Sequence, residues 1–431
     1  MSIKIRLTVM NFLQFAIWGA YLTSMSRYLG PAGLGGSIGL FYSVQGIVSL
    51  FMPALLGIIA DRWVQAQKLL GISHCLAALF MAAAGIYGLQ AGTNVSFSIF
   101  FTLYTLSVAF YMPTIALSNS VAYNILTQYG YDTVKSFPPI RVFGTIGFIC
   151  SMWITDLLGF QTSSMQFVFS ACLGIVLGIY AFSLPQCKTN DVEKKTMVEA
   201  LGLNAFRLFK QKKMAIFFIF SMLLGVSLQI TNGFANPFIA SFEASPEFVH
   251  TFGVQHSNML ISLSQISETL CILLIPFFLK RFGIKTVMLM SMFAWVFRFG
   301  LFGVGNPGSG VWLLILSMIV YGIAFDFFNI SGSLFVDKET DPSIRSSAQG
   351  LFMLMTNGIG ATVGTLSAQW VVNRFCSWQN VMVGTETKSL LIGDWTSVWF
   401  IFAGYALIVG ILFAILFKYK HNYNEVAETN R

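Results

Sequence analysis

Long apolar runs separated by short polar breaks dominate this chain. A helix needs roughly 20 apolar residues to cross a bilayer. Twelve candidate spans meet that requirement, near 7–28, 37–60, 69–90, 95–122, 139–158, 165–185, 214–240, 257–279, 285–304, 310–334, 345–372 and 394–417. The only long polar interval is "QCKTNDVEKKTMVEALGLNAFRLFKQKK", between the sixth and seventh spans. The pattern predicts an all-α polytopic membrane protein of two six-helix halves. Its boundaries fall at 1–185, a connector over 186–213, a second bundle over 214–418 and a tail over 419–431.

Two six-helix halves are the layout of the major facilitator architecture, in which substrate binds at midplane between the halves. Composition narrows the classes further. The 431 residues are 56% hydrophobic and 10% charged, with a mean hydropathy of +0.73, whereas a soluble domain carries about 25% charged residues. Soluble enzymes, DNA-binding proteins and disordered chains are excluded. The net charge of +8 reads as retention of basic residues in cytoplasmic loops, not as a nucleic-acid signal. Of the 25 Lys and Arg, only Arg27, Arg374 and Lys388 fall on the side opposite the termini, with Arg141 and Arg298 inside spans or at their edges. That bias predicts both termini of a multi-pass protein inside. The first apolar run lacks a cleavage site and reads as a retained span. The six Cys are scattered without CxxC and the four His without HxxxH, so neither a disulfide framework nor a metal site is expected.

Charged residues deep in a bilayer are costly and mark function by default. Two acids stand well inside spans, Glu268 and Asp326, both in the second half. Their candidate partner is Arg141 in the first half. The neighbours are polar or aromatic at helical spacing. Arg141, Thr145 and Phe148 share a face in "RVFGTIGF"; Gln229 and Asn232 share one in "LQITN"; Gln265 and Glu268 share one in "SQISETL". Tyr321 and Phe325 stand one turn apart beside Asp326 in "YGIAFDFFNISGS". Amides and carboxylates suit hydroxyl-rich ligands, and rings suit a planar base or a sugar face. The competing readings are structural: buried acids, a snorkelling Arg141, amides bonding between helices, and Phe as packing. Arg298 is expected to snorkel outward and stays outside the site. His74 is expected to be a structural histidine. Gly360 and Gly364 predict close helix packing, Pro113, Pro138 and Pro139 shape helix geometry, and the basic end of the connector is expected on the inner membrane surface.

The motifs "FLQFAIWG", "FMPALLGIIAD", "FPPIRVFGTIGF", "LQITN", "SQISETL", "AFDFFNISGS" and "WFIFAGYALIVG" resemble the nucleoside:H+ symporter family of the major facilitator superfamily, over nearly the whole chain. The resemblance implies proton-driven uptake of purine and pyrimidine nucleosides such as uridine or adenosine across the bacterial inner membrane. It implies binding by Arg141, Thr145, Phe148, Gln229, Asn232, Gln265, Glu268, Tyr321, Phe325 and Asp326, with Asp326, Glu268 and Arg141 coupling the proton. Phe143 stands where the family often has Trp, and "NGFAN" also departs from its usual run. No cofactor beyond the proton is expected, nor any partner other than substrate and bilayer, and the fold suits a monomer. Alternatives are a sugar or oligosaccharide:proton symporter, a transport-inactive sensor and, as a different class, a membrane-embedded enzyme. The last lacks a spaced His/Asp/Glu set.

Overall fold

The structure is a computed structural model, and it describes residues 2–187, 203–341 and 344–419. Helices are α1 (Ile3–Gly19), α2 (Met25–Leu29), α3 (Ile38–Ser49), α4 (Met52–Arg62), α5 (Ala66–Ala91), α6 (Phe97–Gln128), α7 (Thr133–Leu157) and α8 (Met165–Ser183) before the connector. After it come α9 (Lys212–Leu228), α10 (Ile230–Ser241), α11 (Phe252–Gln255), α12 (Ser257–Val304), α13 (Val311–Glu339), α14 (Arg345–Met353), α15 (Ala361–Phe375) and α16 (Trp395–Leu416). Among the described residues, nine helical stretches are long and apolar enough to cross a membrane. Exposed apolar side chains such as Leu273, Phe297 and Ile408 line their outer faces, the surface expected where the solvent is lipid.

Nine stretches stand where twelve spans were expected, and the differences have local causes. The expected first span is shorter, because α1 ends at Gly19 and the chain turns before α2. The second is split into α3 and α4. Pro53 lacks an N–H for the helical ladder, so a helix restarts with proline in its first turn. The eighth and ninth expected spans lie in the single element α12, which bends at Gly283 (φ 77°, ψ 166°). Only glycine adopts that backbone without steric cost. The seventh pauses at Gln229 between α9 and α10. The eleventh contains a π-helical segment, Leu354–Gly360, between α14 and α15.

One element was not expected. Cys376–Val383 (β1) and Glu386–Gly393 (β2) form an antiparallel hairpin between α15 and α16. Val383 pairs with Glu386, which leaves a two-residue turn whose first residue, Gly384, has φ 63°. That geometry is favoured in tight hairpins. The Trp378 ring fills the space beside Gly30 and Gly35, where any Cβ would lie about 2.1 Å from it.

Within the first half, α1 packs on α7 and α8, and α5 on α6 and α8; within the second, α12 packs on α13 and α16. Glycines set the closest approaches. A Cβ at Gly147 would lie 2.1 Å from the Phe12 carbonyl, and one at Gly364 2.1 Å from the Val226 carbonyl. Gly360 meets Met222 and Gly225 in the same way. The small residues of "GATVG" therefore let α15 lie against α9. The described part of the connector docks Ala205 and Leu208 against the second half, with Phe209 against Phe218. Lys188, Lys194 and Lys195 lie outside the described residues.

The hydrogen bonds and ion pairs that join the halves cluster at one end, the end of α1 away from the N-terminus. Asp156 at the end of α7 accepts the Met259 N–H at 3.1 Å and pairs with His256 at 2.9 Å. It thereby caps α12 from the other half. Trp153 donates to Ser262 at 2.8 Å, and Thr23 to Asn258 at 3.1 Å. Ser257 and Asn236 both donate to Gln161, at 2.8 and 3.1 Å. Glu243 bridges Arg27 of the first half and Lys388 of the hairpin.

Candidate functional site

The site is assembled where α7 meets α12. Arg141 follows Pro138 and Pro139 inside α7. Its guanidinium carbon lies 3.9 Å from the centre of the Phe15 ring on α1. Gly144 makes room for that stack, since a Cβ there would stand 2.6 Å from Phe15 and 2.9 Å from Arg141. Arg141 is thus half-buried against an aromatic face and its charge is directed inward, not snorkelled.

Glu268 on α12 and Asp326 on α13 interact electrostatically with Arg141 and with each other. Among the described residues, no ion pair within 4.0 Å joins Arg141 to either acid. The three groups therefore lie within electrostatic reach of one another without forming a close ion pair. Asp326 is the more enclosed acid, at 5% exposure, and among the described residues its Oδ2 meets no hydrogen-bond partner. A buried polar atom without a partner is costly, and a proton or a ligand hydroxyl is what would relieve it. Tyr321, one turn before Phe325, is near-parallel to it with ring centres 5.6 Å apart. Tyr321 also interacts with both acids. The second half thus offers two carboxylates beside a ring pair.

The other expected residues are placed less tightly. Phe148 lies on the Arg141 face of α7 and meets Trp18 edge-on at 6.2 Å. Thr145 and Gln265 are half-buried. Asn232 donates to Gln229 at 2.9 Å, so this amide pair bonds within its own chain segment and does not bridge helices. It sits at the break between α9 and α10, and interrupted helices are where transporters place polar sites.

One expectation changes. Arg298 does not snorkel outward. It is 2% exposed, with its guanidinium 4.4 Å from the Tyr321 ring centre. Position along the helix gives depth but not facing, and Arg298 shares its face with the buried Trp295 and Phe302, while Phe297 is 64% exposed. His74 is buried as expected. One ring nitrogen meets Gln14 at 2.7 Å, and Gln14 donates in turn to Thr114 at 2.8 Å. The other, Nδ1, has no partner among the described residues.

A sequence profile described as "Nucleoside H+ symporter" matches residues 1–422. The chain belongs to the nucleoside H+ symporter family. Membership makes it a proton-coupled nucleoside transporter and not an enzyme. It is 47% identical to the xanthosine permease of Escherichia coli K12 over 426 residues, spanning 98% of this chain and 97% of that one. It is 48% identical to the nucleoside permease NupG of the same organism over 427 residues, again 98% and 97%. The crystal structure of the nucleoside transporter NupG superposes with a TM-score of 0.86 at 46% identity, over 97% of this chain and 100% of that one. The helical architecture of this symporter is therefore that of a solved family member.

Proposed function

We propose that this symporter takes up both purine and pyrimidine nucleosides across a bacterial inner membrane by alternating access between its halves. The observation that carries the reading is the convergence of Arg141 from the first half with Glu268 and Asp326 from the second, beside the Tyr321–Phe325 ring pair. The ring pair, with Phe148 and Thr145, frames the planar base. Gln229, Asn232, Gln265 and Glu268 bind the ribose hydroxyls. Asp326 carries the proton, with Glu268 and Arg141 completing the coupling set, and no cofactor takes part.

The chain crosses the membrane twelve times with both termini inside, in bundles 1–185 and 214–418 joined by the connector 186–213, and it works as a monomer. The nine long stretches support this count when α12 is divided at Gly283 and the paths through α1 and α3–α4 are each taken as one crossing. The asymmetry of basic residues supports the orientation. In that orientation the bonded end of the molecule is the outer one.

The test is uptake of labelled uridine into proteoliposomes, with and without an inward proton gradient, against excess adenosine, ribose or lactose. The expected result is gradient-driven accumulation blocked by adenosine alone. Uptake blocked by lactose and indifferent to adenosine would replace this reading with a sugar symporter.

A further inference from the structure

A cation at membrane depth is expensive, and Arg298 is surrounded by neutral groups. Its guanidinium donates to the Ser317 carbonyl at 2.9 Å and to Ser264 Oγ at 3.4 Å. Ser317 Oγ donates back to the Arg298 carbonyl at 2.8 Å. Among the described residues, no carboxylate lies within 4.0 Å of it. Its nearer aromatic contact is the Tyr321 ring, which Trp295 meets edge-on at 5.9 Å, and the Phe302 ring centre lies farther off at 5.3 Å from the guanidinium carbon. Ser264 directly precedes Gln265, and Ser317 lies one turn before Tyr321. Arg298 thus ties the stretch of α12 bearing Gln265 and Glu268 to the stretch of α13 bearing Tyr321, Phe325 and Asp326.

We propose that Arg298 is a positioning residue for substrate binding. It fixes the plane of Tyr321 and the register between the two site-bearing stretches, so that rings and carboxylates form one preformed surface. It acts through Tyr321 and does not touch the substrate. A planar guanidinium can cover a ring face while donating in its own plane, which an ammonium cannot. An apolar side chain would fill the same space but would hold neither serine. The proposal rests on the nucleoside reading above.

The experiment is concentration-dependent uridine uptake in proteoliposomes for the wild type, Arg298→Gln, Arg298→Lys, Tyr321→Leu and the double variant Arg298→Gln/Tyr321→Leu. Arg298→Gln is expected to raise KM roughly ten-fold, the scale of a desolvated cation–π contact, with turnover nearly unchanged. Arg298→Lys should fall between wild type and Arg298→Gln. In the Tyr321→Leu background, Arg298→Gln should add no further rise in KM, because its route to the substrate is already gone. A purely structural role would instead lower the melting temperature and the active fraction at constant KM. That result, or a KM loss that adds in full to Tyr321→Leu, would overturn the proposal. Should Arg298→Gln fail to fold, Arg298→Lys with and without Tyr321→Leu gives the same cycle. A wild type that takes up no uridine overturns the nucleoside reading itself; wild-type uptake with unchanged KM in the variants overturns this inference alone.

Discussion

Asp326 is enclosed, lacks a partner for Oδ2 among the described residues, and shares Arg141 with Glu268. With all three groups ionised, two negative charges face one positive charge. A single proton makes the set neutral, which is the electrostatic basis for moving a proton with an uncharged substrate. Asp326→Asn leaves the site permanently neutral in that sense. It is expected to abolish accumulation against a gradient while preserving exchange of labelled for unlabelled uridine across the membrane. Both are read in the same proteoliposomes. Accumulation retained in Asp326→Asn would pass the proton to Glu268. Arg141, Glu268 and Asp326 were legible in the sequence because each interrupts an apolar run. Arg298 interrupts one too, and its facing was also there to be read: Trp295 and Phe302 place it, at helical spacing, on a face whose aromatic residues are all buried. Hydropathy alone passes over that, because depth along a helix and direction around it are separate quantities.

At the scale of elements, the helices follow from apolar run length, and their interruptions from proline and glycine. The hairpin did not emerge from that reading. Its strands, "CSWQNVMV" and "ETKSLLIG", are too polar to register as a span and carry no period-2 alternation, so the glycine of the turn, Gly384, is the one local mark of a hairpin. The glycine contacts were half legible: the GxxxG spacing was visible, but its partner α9 was not, since a sequence pattern does not say which helix lies opposite. That contact gives a stability prediction. At Gly364, Cβ would stand 2.1 Å from the Val226 carbonyl, with backbone on the far side and little room to yield. Gly364→Leu is expected to cost about 1–3 kcal/mol, as overpacking does, and so to lower the melting temperature in detergent. Gly404→Leu on α16, where nothing lies within 4 Å, is the matched control and should melt as the wild type. Equal melting of the two variants would mean that α15 does not approach α9 this closely.

Across the whole molecule, the two-half layout was legible from a single polar connector, but the closed end was not. The residues that close it are mostly uncharged: Thr23, Gln161, Asn236, Ser257 and Asn258 join in one network, with Asp156 capping α12 beside it. Small polar residues near helix ends carry little weight in a hydropathy profile, and only the packing of the halves brings them together. A symporter working by alternating access must break these bonds each cycle to admit substrate from that side. The neutral ones contribute about 0.5–1.5 kcal/mol net each, and the charged contacts of Asp156 about 1.5–3 kcal/mol. A closure made of several such bonds can therefore hold one state and still release it. Locking the closure covalently should stop transport without disturbing the site. Thr23 and Asn258 are joined at 3.1 Å between side-chain oxygens, which brings cysteines at these positions within reach of each other. The pair Thr23→Cys/Asn258→Cys is expected to lose uridine uptake on mild oxidation and to regain it on reduction. The wild type, whose six cysteines are free, should respond to neither treatment. Uptake that continues at full rate in the oxidised pair, with the disulfide confirmed by mass spectrometry, would mean that this end of the molecule stays closed throughout the cycle and that substrate takes another route.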